Sequence, residues 1–395
     1  VVQAVVQTVA RPLGRACGHR GYRDGVVVRV GFLGAGLIAR YHAMQIGLAP
    51  EACEVSVVHD PDAGRAERFA EAQGARSVDS VEEVLDLCDV VFVCTWTAAH
   101  RGIVEEVAAA GLPVFCEKPL GVDLADAVAV AGAALACPVN AVGLVLRTSP
   151  ALLAVRELLE DPESGELMAV VFRDDQYIPV QGMYESTWRG DPARCGSGTL
   201  LEHSIHDVDL LEWLAGPIRT VAAQQSFHHG IPGIEDCVST VGRFESGATF
   251  TLTSVWHDVL DRPSQRRMEL FCRNRLITLE GDVFGPVHLH SDAASSSLAD
   301  DELVDWLRGR GVALRSTESA LLAAVDGLAT GRSPEGVRPD ARDALRAHVL
   351  VDSLYRSADA GGVLVEVPPG IPPIPSVSAS ELDRSSDPSP APGGA

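Results

Sequence analysis

The feature that most constrains this chain is the passage from residue 26 to residue 46. A β-branched apolar run, Val26-Val27-Val28-Arg29-Val30-Gly31-Phe32-Leu33, leads straight into Gly34-Ala35-Gly36-Leu37-Ile38-Ala39, and a helix-forming segment, Arg40 to Ile46, follows. Gly34 permits a tight turn from strand to helix, and Gly36 lets the backbone approach a pyrophosphate closely. Ala39 keeps the helix near the strand. The helix N-terminus, at Leu37 and Ile38, offers free N–H groups and the positive end of a dipole. Such a glycine pattern alone is weak evidence. Here a strand precedes it, and an acid, Asp60, ends the next apolar run, Val55-Ser56-Val57-Val58-His59, where a carboxylate would meet adenosine ribose hydroxyls.

The chain alternates strand and helix from there. Apolar segments at 54–58, 75–78, 89–94, 113–116 and 139–145 read as strands, and 63–72, 81–87, 98–110 and 124–135 as helices. The run Asp89-Val90-Val91-Phe92-Val93-Cys94 is continuous, as expected of a strand covered on both faces. Right-handed crossovers then give a doubly wound parallel sheet with its ligand crevice at the strand C-terminal ends. After a helix at 150–159 the pattern changes to strands at 167–173, 220–224, 238–244, 248–256, 267–272 and 275–279. Runs of strands without intervening helices predict an α+β second domain with an open, largely antiparallel sheet. Helices at 317–328 and 340–358 close it. The expected organisation is an N-terminal extension (1–25), a Rossmann domain (26–146), an α+β second domain (147–367) and a tail (368–395). Density of proline, serine and glycine marks the tail as disordered, and the extension is read the same way.

Composition narrows the class. Of 395 residues, 54 are acidic and 32 basic, a net charge of −22 without a dense basic cluster, which argues against a nucleic-acid partner. No apolar run is long enough to span a membrane. The nine cysteines form no Cys-x-x-Cys pair and several sit in strand-like runs, which reads as reduced, buried thiols and a cytoplasmic setting. The first residues lack a basic segment ahead of an apolar one, so a secretory signal is not expected.

Three further segments carry chemistry. Thr95-Trp96-Thr97-Ala98-Ala99-His100 follows the fourth strand, and Cys116-Glu117-Lys118-Pro119-Leu120 follows the fifth. Gly196-Ser197-Gly198-Thr199-Leu200-Leu201-Glu202-His203-Ser204-Ile205-His206-Asp207 opens a helix in the second domain. Glu202 and His206 are spaced i, i+4, which puts them on one helix face within hydrogen-bond reach. Histidine titrates near neutrality, as a proton shuttle requires, and a lysine at a strand end can stabilise a developing alkoxide. His203 and His206 are only three apart and nothing completes a ligand set, so no metal is expected. Cys195 has no identifiable base to make it a nucleophile.

Together with the glycine turn, these segments resemble the Gfo/Idh/MocA family (glucose–fructose oxidoreductase, inositol dehydrogenase and rhizopine catabolism) from about Val26 to Val367. The resemblance implies an oxidoreductase that moves a hydride between NAD, with NADP as the alternative, and a secondary alcohol of a sugar, cyclitol or related polyol. It implies a catalytic Lys118 and His206 with Glu202 in support. It also implies a cofactor site drawing on Gly34, Gly36, Leu37, Ile38, Asp60, Thr95, Trp96, His100, Glu117, Lys118 and Arg189. This chain departs from the family in Glu202, where many members carry aspartate, in Trp96, which replaces a common proline, and in Gly196-Ser197-Gly198, which replaces a triple glycine. A dimer or tetramer through the second sheet is implied as well. Two alternatives stay open: a nicotinamide-dependent glycoside-cleaving enzyme, and a non-catalytic NAD-binding sensor. The substrate is expected against the second sheet, at Tyr177, His257 and Arg262, where an aromatic surface and polar groups would suit a polyol.

Overall fold

The computed structural model describes residues 27–48, 53–182, 184–262, 264–333 and 336–374. The N-terminal extension and residues 375–395 lie outside the described residues.

The first half runs β1 (Val28–Leu33), α1 (Leu37–Gly47), β2 (Cys53–His59), α2 (Ala63–Gln73), β3 (Arg76–Ser77), α3 (Val81–Leu87), β4 (Val90–Val93), α4 (His100–Ala109), β5 (Val114–Cys116), α5 (Leu124–Ala136) and β6 (Asn140–Val142). Its six strands are all parallel, in the order β3-β2-β1-β4-β5-β6, the doubly wound arrangement the strand–helix alternation predicts. Every residue of β4 is buried, and the Phe92 and Phe115 rings stack with centroids 4.7 Å apart. Polar side chains start the helices: Asp62, Ser80 and Asp123 accept from backbone N–H groups of α2, α3 and α5. The sixth strand is shorter than its apolar run, because Val145–Thr148 coils into a 3-10 turn.

The second half runs α6 (Pro150–Glu160), β7 (Leu167–Tyr177), α7 (Pro192–Cys195), α8 (Thr199–Glu202), α9 (Ile205–Ala215), β8 (Ile218–Ser226), β9 (Cys237–Phe244), β10 (Thr249–His257), β11 (Gln265–Cys272), β12 (Leu276–Glu280), β13 (Val287–His290), β14 (Ser295–Leu298), α10 (Asp300–Gly309), α11 (Thr317–Ala329), α12 (Ala341–Asp359) and β15 (Val365–Glu366). Nine strands form one mixed sheet, β14-β13-β12-β11-β7-β10-β9-β8-β15. Among the described residues of this sheet, only β7 and β10 pair in parallel; the other neighbours are antiparallel. Inward residues of these strands meet α6, α9 and α12 in one core, with Val170, Phe172, Phe250, Leu252, Met268 and Leu350 among its members.

The halves are less separate than a boundary at residue 146 implies. Leu321, Leu322 and Val325 of α11 pack with Val30 and Phe32 of β1 and Ala39 of α1. α12 joins both cores, placing Ala344 and Leu345 in the first and Leu350 and Leu354 in the second. Residues 368–374, read from composition as part of a disordered tail, lie against the fold. Arg346 donates to the Pro368 and Gly370 carbonyls, and Ile371 and Ile374 pack on the first core. Two isoleucines three apart supply apolar surface that proline content conceals. Among the described residues, no helix is long and apolar enough to cross a membrane.

Candidate active site

The two sheets meet at a cleft of ≈ 760 Å³ that runs from the glycine turn to α8 and α9. At its first end, Gly34 has φ +93°, and a Cβ there would stand 2.5 Å from the Cys94 carbonyl oxygen. Only glycine fits. Among the described residues, Gly36 has nothing within 4 Å of the place a Cβ would occupy, so open space adjoins the backbone. No side chain caps α1, unlike α2, α3 and α5, so its first N–H groups are left toward the cleft that Gly36, Leu37 and Ile38 line. A cradle with that space and those donors fits a dinucleotide pyrophosphate.

Asp60 is buried and engaged. One carboxylate oxygen accepts from the Ala35 N–H at 2.9 Å, the other from the Asp62 N–H at 2.9 Å. The Arg65 guanidinium stands 3.4 Å from it. Asp60 thus ties the end of β2 to the glycine turn and does not itself line the cleft, whose wall carries Arg40, Arg65 and Arg68. His100 does not reach the cleft. It is buried, with Nδ1 3.0 Å from the Pro119 carbonyl and Nε2 3.3 Å from the Thr95 carbonyl, and so supports both loops from beneath.

Midway, Thr95, Trp96, Glu117, Lys118, Arg189, Glu202, His203 and His206 line the same space. Lys118 Nζ donates to the Glu202 backbone carbonyl at 2.6 Å. Burial pushes the Lys118 ammonium below its ordinary value, and the Glu202 charge opposes that. Burial also pushes His206 well below its ordinary value, and the charges of Lys118 and Arg266 reinforce the shift. Its imidazole is therefore neutral at pH 7, and among the described residues its buried Nδ1 has no hydrogen-bond partner.

The expected Glu202–His206 pair is not formed. α8 ends at Glu202, α9 starts at Ile205, and the intervening residues break the helical phase. The Glu202 carboxylate instead accepts from Thr97 Oγ1 at 2.7 Å and Arg189 Nε at 3.0 Å. It bridges the loop after β4 to the second domain.

The far end is built from the inward face of the second sheet: Gln176 at the end of β7, Trp256 on β10 and Arg266 on β11, with Tyr184 and Trp188 from the loop after β7. Tyr177, His257 and Arg262 do not line the cleft. Side chains alternate along a strand, so neighbours of Gln176 and Trp256 point to the other face. There the Arg262 guanidinium pairs with Asp175 at 2.6 Å, and His257 Nε2 lies 3.5 Å from the same carboxylate. Tyr177 is buried against Tyr184, ring centroids 5.1 Å apart.

A buried charge cluster lies under this end that no motif announces. Arg266 donates to Asp207 at 2.6 Å, Asp174 at 2.9 Å and Asp282 at 3.0 Å. His203 Nε2 is 2.7 Å from Asp174. Burial pushes the Asp207 carboxyl up to about 7 against the pull of Arg266. Among the described residues no group of side chains has the make-up of a metal site.

Comparison with known proteins bears on the family and the fold. Residues 28–136 match the model of an oxidoreductase family with an NAD-binding Rossmann fold, and residues 152–278 match the GFO/IDH/MocA C-terminal domain. An inositol 2-dehydrogenase of Rhizobium meliloti is 26% identical over 347 residues, 84% of this chain and 97% of that protein. Inositol 2-dehydrogenase 2 of Paenarthrobacter aurescens is 30% identical over 247 residues, 57% of this chain and 68% of its own length. Other inositol 2-dehydrogenases align over about half of their length (54% and 56% for two of them). The solved structure of a levoglucosan dehydrogenase in complex with NADH and levoglucosan superposes with a TM-score of 0.73 at 20% identity, covering 87% of this chain and 100% of that one.

Proposed function

The chain belongs to the Gfo/Idh/MocA family of oxidoreductases, and from that premise we propose that it interconverts a secondary alcohol and a ketone on a sugar, cyclitol or related polyol, with NAD as partner. The observation that carries the reading is the opening of Lys118 and His206 into the same cleft as the glycine turn. Relatives named for inositol and levoglucosan support the substrate class.

The residues divide the work. Gly36, Leu37 and Ile38 would hold the pyrophosphate, Asp60 and Arg65 would flank the adenosine ribose, and Thr95, Trp96 and Glu117 would border the nicotinamide end. Bound NAD supplies a hydride acceptor, and its reduced form a donor. His206, neutral because burial and two nearby cations disfavour its charged form, takes the hydroxyl proton in oxidation and returns it in reduction. Lys118, steered by the Glu202 carbonyl, presents its ammonium to the reacting oxygen as negative charge develops there. Thr97 and Arg189 hold Glu202, and so hold the carbonyl that aims Lys118.

Val171, Thr251 and Val241 lie in register across the outer face of the second sheet, with Val171 and Val241 exposed. We propose that a second copy covers this three-residue row, which ends at Glu269 on β11, and sedimentation of wild type against Val241→Asp would test it. For the activity, a panel of sugars, cyclitols and sugar acids is followed by nicotinamide absorbance with NAD and with NADP. Turnover of at least one polyol is expected. Firm cofactor binding with no turnover across the panel would overturn the reading in favour of a sensor.

A further inference from the structure

His42, on α1, is completely buried and is hydrogen-bonded at both ring nitrogens. Nε2 is 2.6 Å from Glu117 Oε1, and Nδ1 is 2.7 Å from Glu318 Oε1. The two acids come from the end of β5 and the first turn of α11, elements 201 residues apart in the chain. Ionised carboxylates only accept, so serving both requires a hydrogen on each ring nitrogen, which is the imidazolium. Burial opposes that charge, and the hydrogen bonds to Glu117 and Glu318 outweigh it, raising His42 to about 9. Phe115 and Phe92 enclose the ring, with centroids 4.6 and 6.0 Å away.

Other titratable groups facing the triad do not compete for the proton near neutrality. Tyr41 on α1 is pushed up by burial and by both carboxylates. Cys94, just after β4, is pushed up by burial and by the Glu117 charge. His100, beneath the Lys118 loop, is pushed down by burial. On its other side, Glu117 Oε2 accepts from the Lys118 backbone N–H at 3.0 Å. Gly143 leaves no slack, since a Cβ there would stand 2.6 Å from Glu117 Oε1.

We propose that His42 and Glu318 are positioning residues for the cofactor end of the cleft. The doubly bonded imidazolium fixes Glu117, and Glu117 in turn fixes the backbone from which Lys118 projects. α11 thereby contributes to the site without touching substrate. The inference rests on the assignment of Glu117 and Lys118 to the nicotinamide end made above.

The test reads protonation and binding instead of turnover. In the full chain labelled with ¹⁵N-histidine, His42 should show an imidazolium signature at pH 8 that disappears as pH rises through about 9. NAD affinity, from calorimetric titration, should fall over the same interval, and Lys118→Met should retain that fall. In Glu318→Gln only one acid supports the charge, so the fall should begin about one pH unit or more lower. Affinity at pH 8 should then drop on the order of tenfold, the loss of a charge-assisted hydrogen bond. His42→Gln should show no such alkaline fall. A neutral His42 at pH 7 in the wild type overturns the inference and needs no variant to fold. Wild-type affinity and pH profile in Glu318→Gln overturn it too. Wild type that binds no NAD at any pH overturns both this inference and the cofactor cleft. A polyol panel that fails while these binding results hold removes only the dehydrogenase reading.

Discussion

Arg266→Met should be among the most damaging single substitutions outside the hydrophobic core, and its cost should grow with pH. The guanidinium is 2% exposed and neutralises part of three carboxylates, Asp174, Asp207 and Asp282, of which the first two are 0% exposed. Methionine approximates the volume of the arginine stem and leaves all three acids without their cation. Removing one partner of a buried ion pair costs about 3–5 kcal/mol, because the remaining charge stays desolvated. Three acids share this one cation, so the upper part of that range is expected whenever they are ionised.

The sign of the pH dependence follows from the folded-state shifts. Burial already pushes Asp207 up to about 7 and raises Asp174, with Arg266 opposing both. An acid whose folded pKa lies above its unfolded value, about 3.9, contributes stability that is fully present below the unfolded pKa. That contribution disappears as pH climbs through the folded pKa. Without Arg266 the opposing pull is gone and the folded values rise further. Each additional pH unit then costs about 1.4 kcal/mol of relative stability over a wider interval. Urea unfolding at pH 5 and pH 8 measures it. The gap between wild type and variant should be about 4 kcal/mol at pH 8 and about 2 kcal/mol smaller at pH 5. A gap under about 1 kcal/mol at pH 8, or one of equal size at both pH values, would refute the argument that Arg266 is the cluster's necessary counter-ion.

Other outcomes are expected at the cleft. Lys118→Ala and His206→Ala should each lower kcat by on the order of 100-fold or more while leaving NAD affinity within about threefold, as titration and steady-state kinetics will read; near-normal turnover in His206→Ala would move the base elsewhere. Wild type should prefer NAD in kcat/KM, and Asp60→Ser should shift the ratio toward NADP, since Arg40, Arg65 and Arg68 would then face a 2′-phosphate without the opposing acid; a wild-type preference for NADP would refute this. Gln176→Leu should raise the polyol KM about tenfold, whereas Arg262→Ala, on the other sheet face, should leave it unchanged; the reverse pattern would return the substrate to the outer residues.

What was legible in the sequence follows how local each determinant is. Gly34, Gly36 and the continuous apolar run of β4 act through their own neighbourhood, and the six-stranded sheet could be read from them. β14 could not, because Ser295-Ser296-Ser297-Leu298 has no apolar alternation and is a strand only through its pairing with β13. On β7 and β10 the strands were legible but the face was not. Tyr177 and His257 have the chemistry of a sugar site, yet parity assigns the cleft to Gln176 and Trp256. The His42–Glu117–Glu318 triad and the acids around Arg266 join residues far apart in the chain, and no short-range spacing encodes them.

The Glu202–His206 spacing shows the same limit at its sharpest. An i, i+4 pair predicts a contact only if the helix between its members is continuous. Here long-range contacts set the backbone first. A Cβ on Gly198 would stand 1.8 Å from the Glu235 carbonyl oxygen, so the chain before α8 is pinned against the loop leading to β9. The Glu235 carboxylate then accepts from the Gly198 N–H at 2.7 Å and the Leu200 N–H at 2.9 Å. Thr199 and Ser204 both reach Ser254 on β10, at 2.7 and 2.6 Å, and fix the two sides of the break. Between those anchors the phase changes at His203 and Ser204, turning Glu202 toward Thr97 and Arg189 and leaving His206 free of it. Separating the two is chemically useful. A carboxylate bonded to His206 would raise its basicity and hold it charged, whereas the burial and the cations observed keep it neutral and ready to accept a proton.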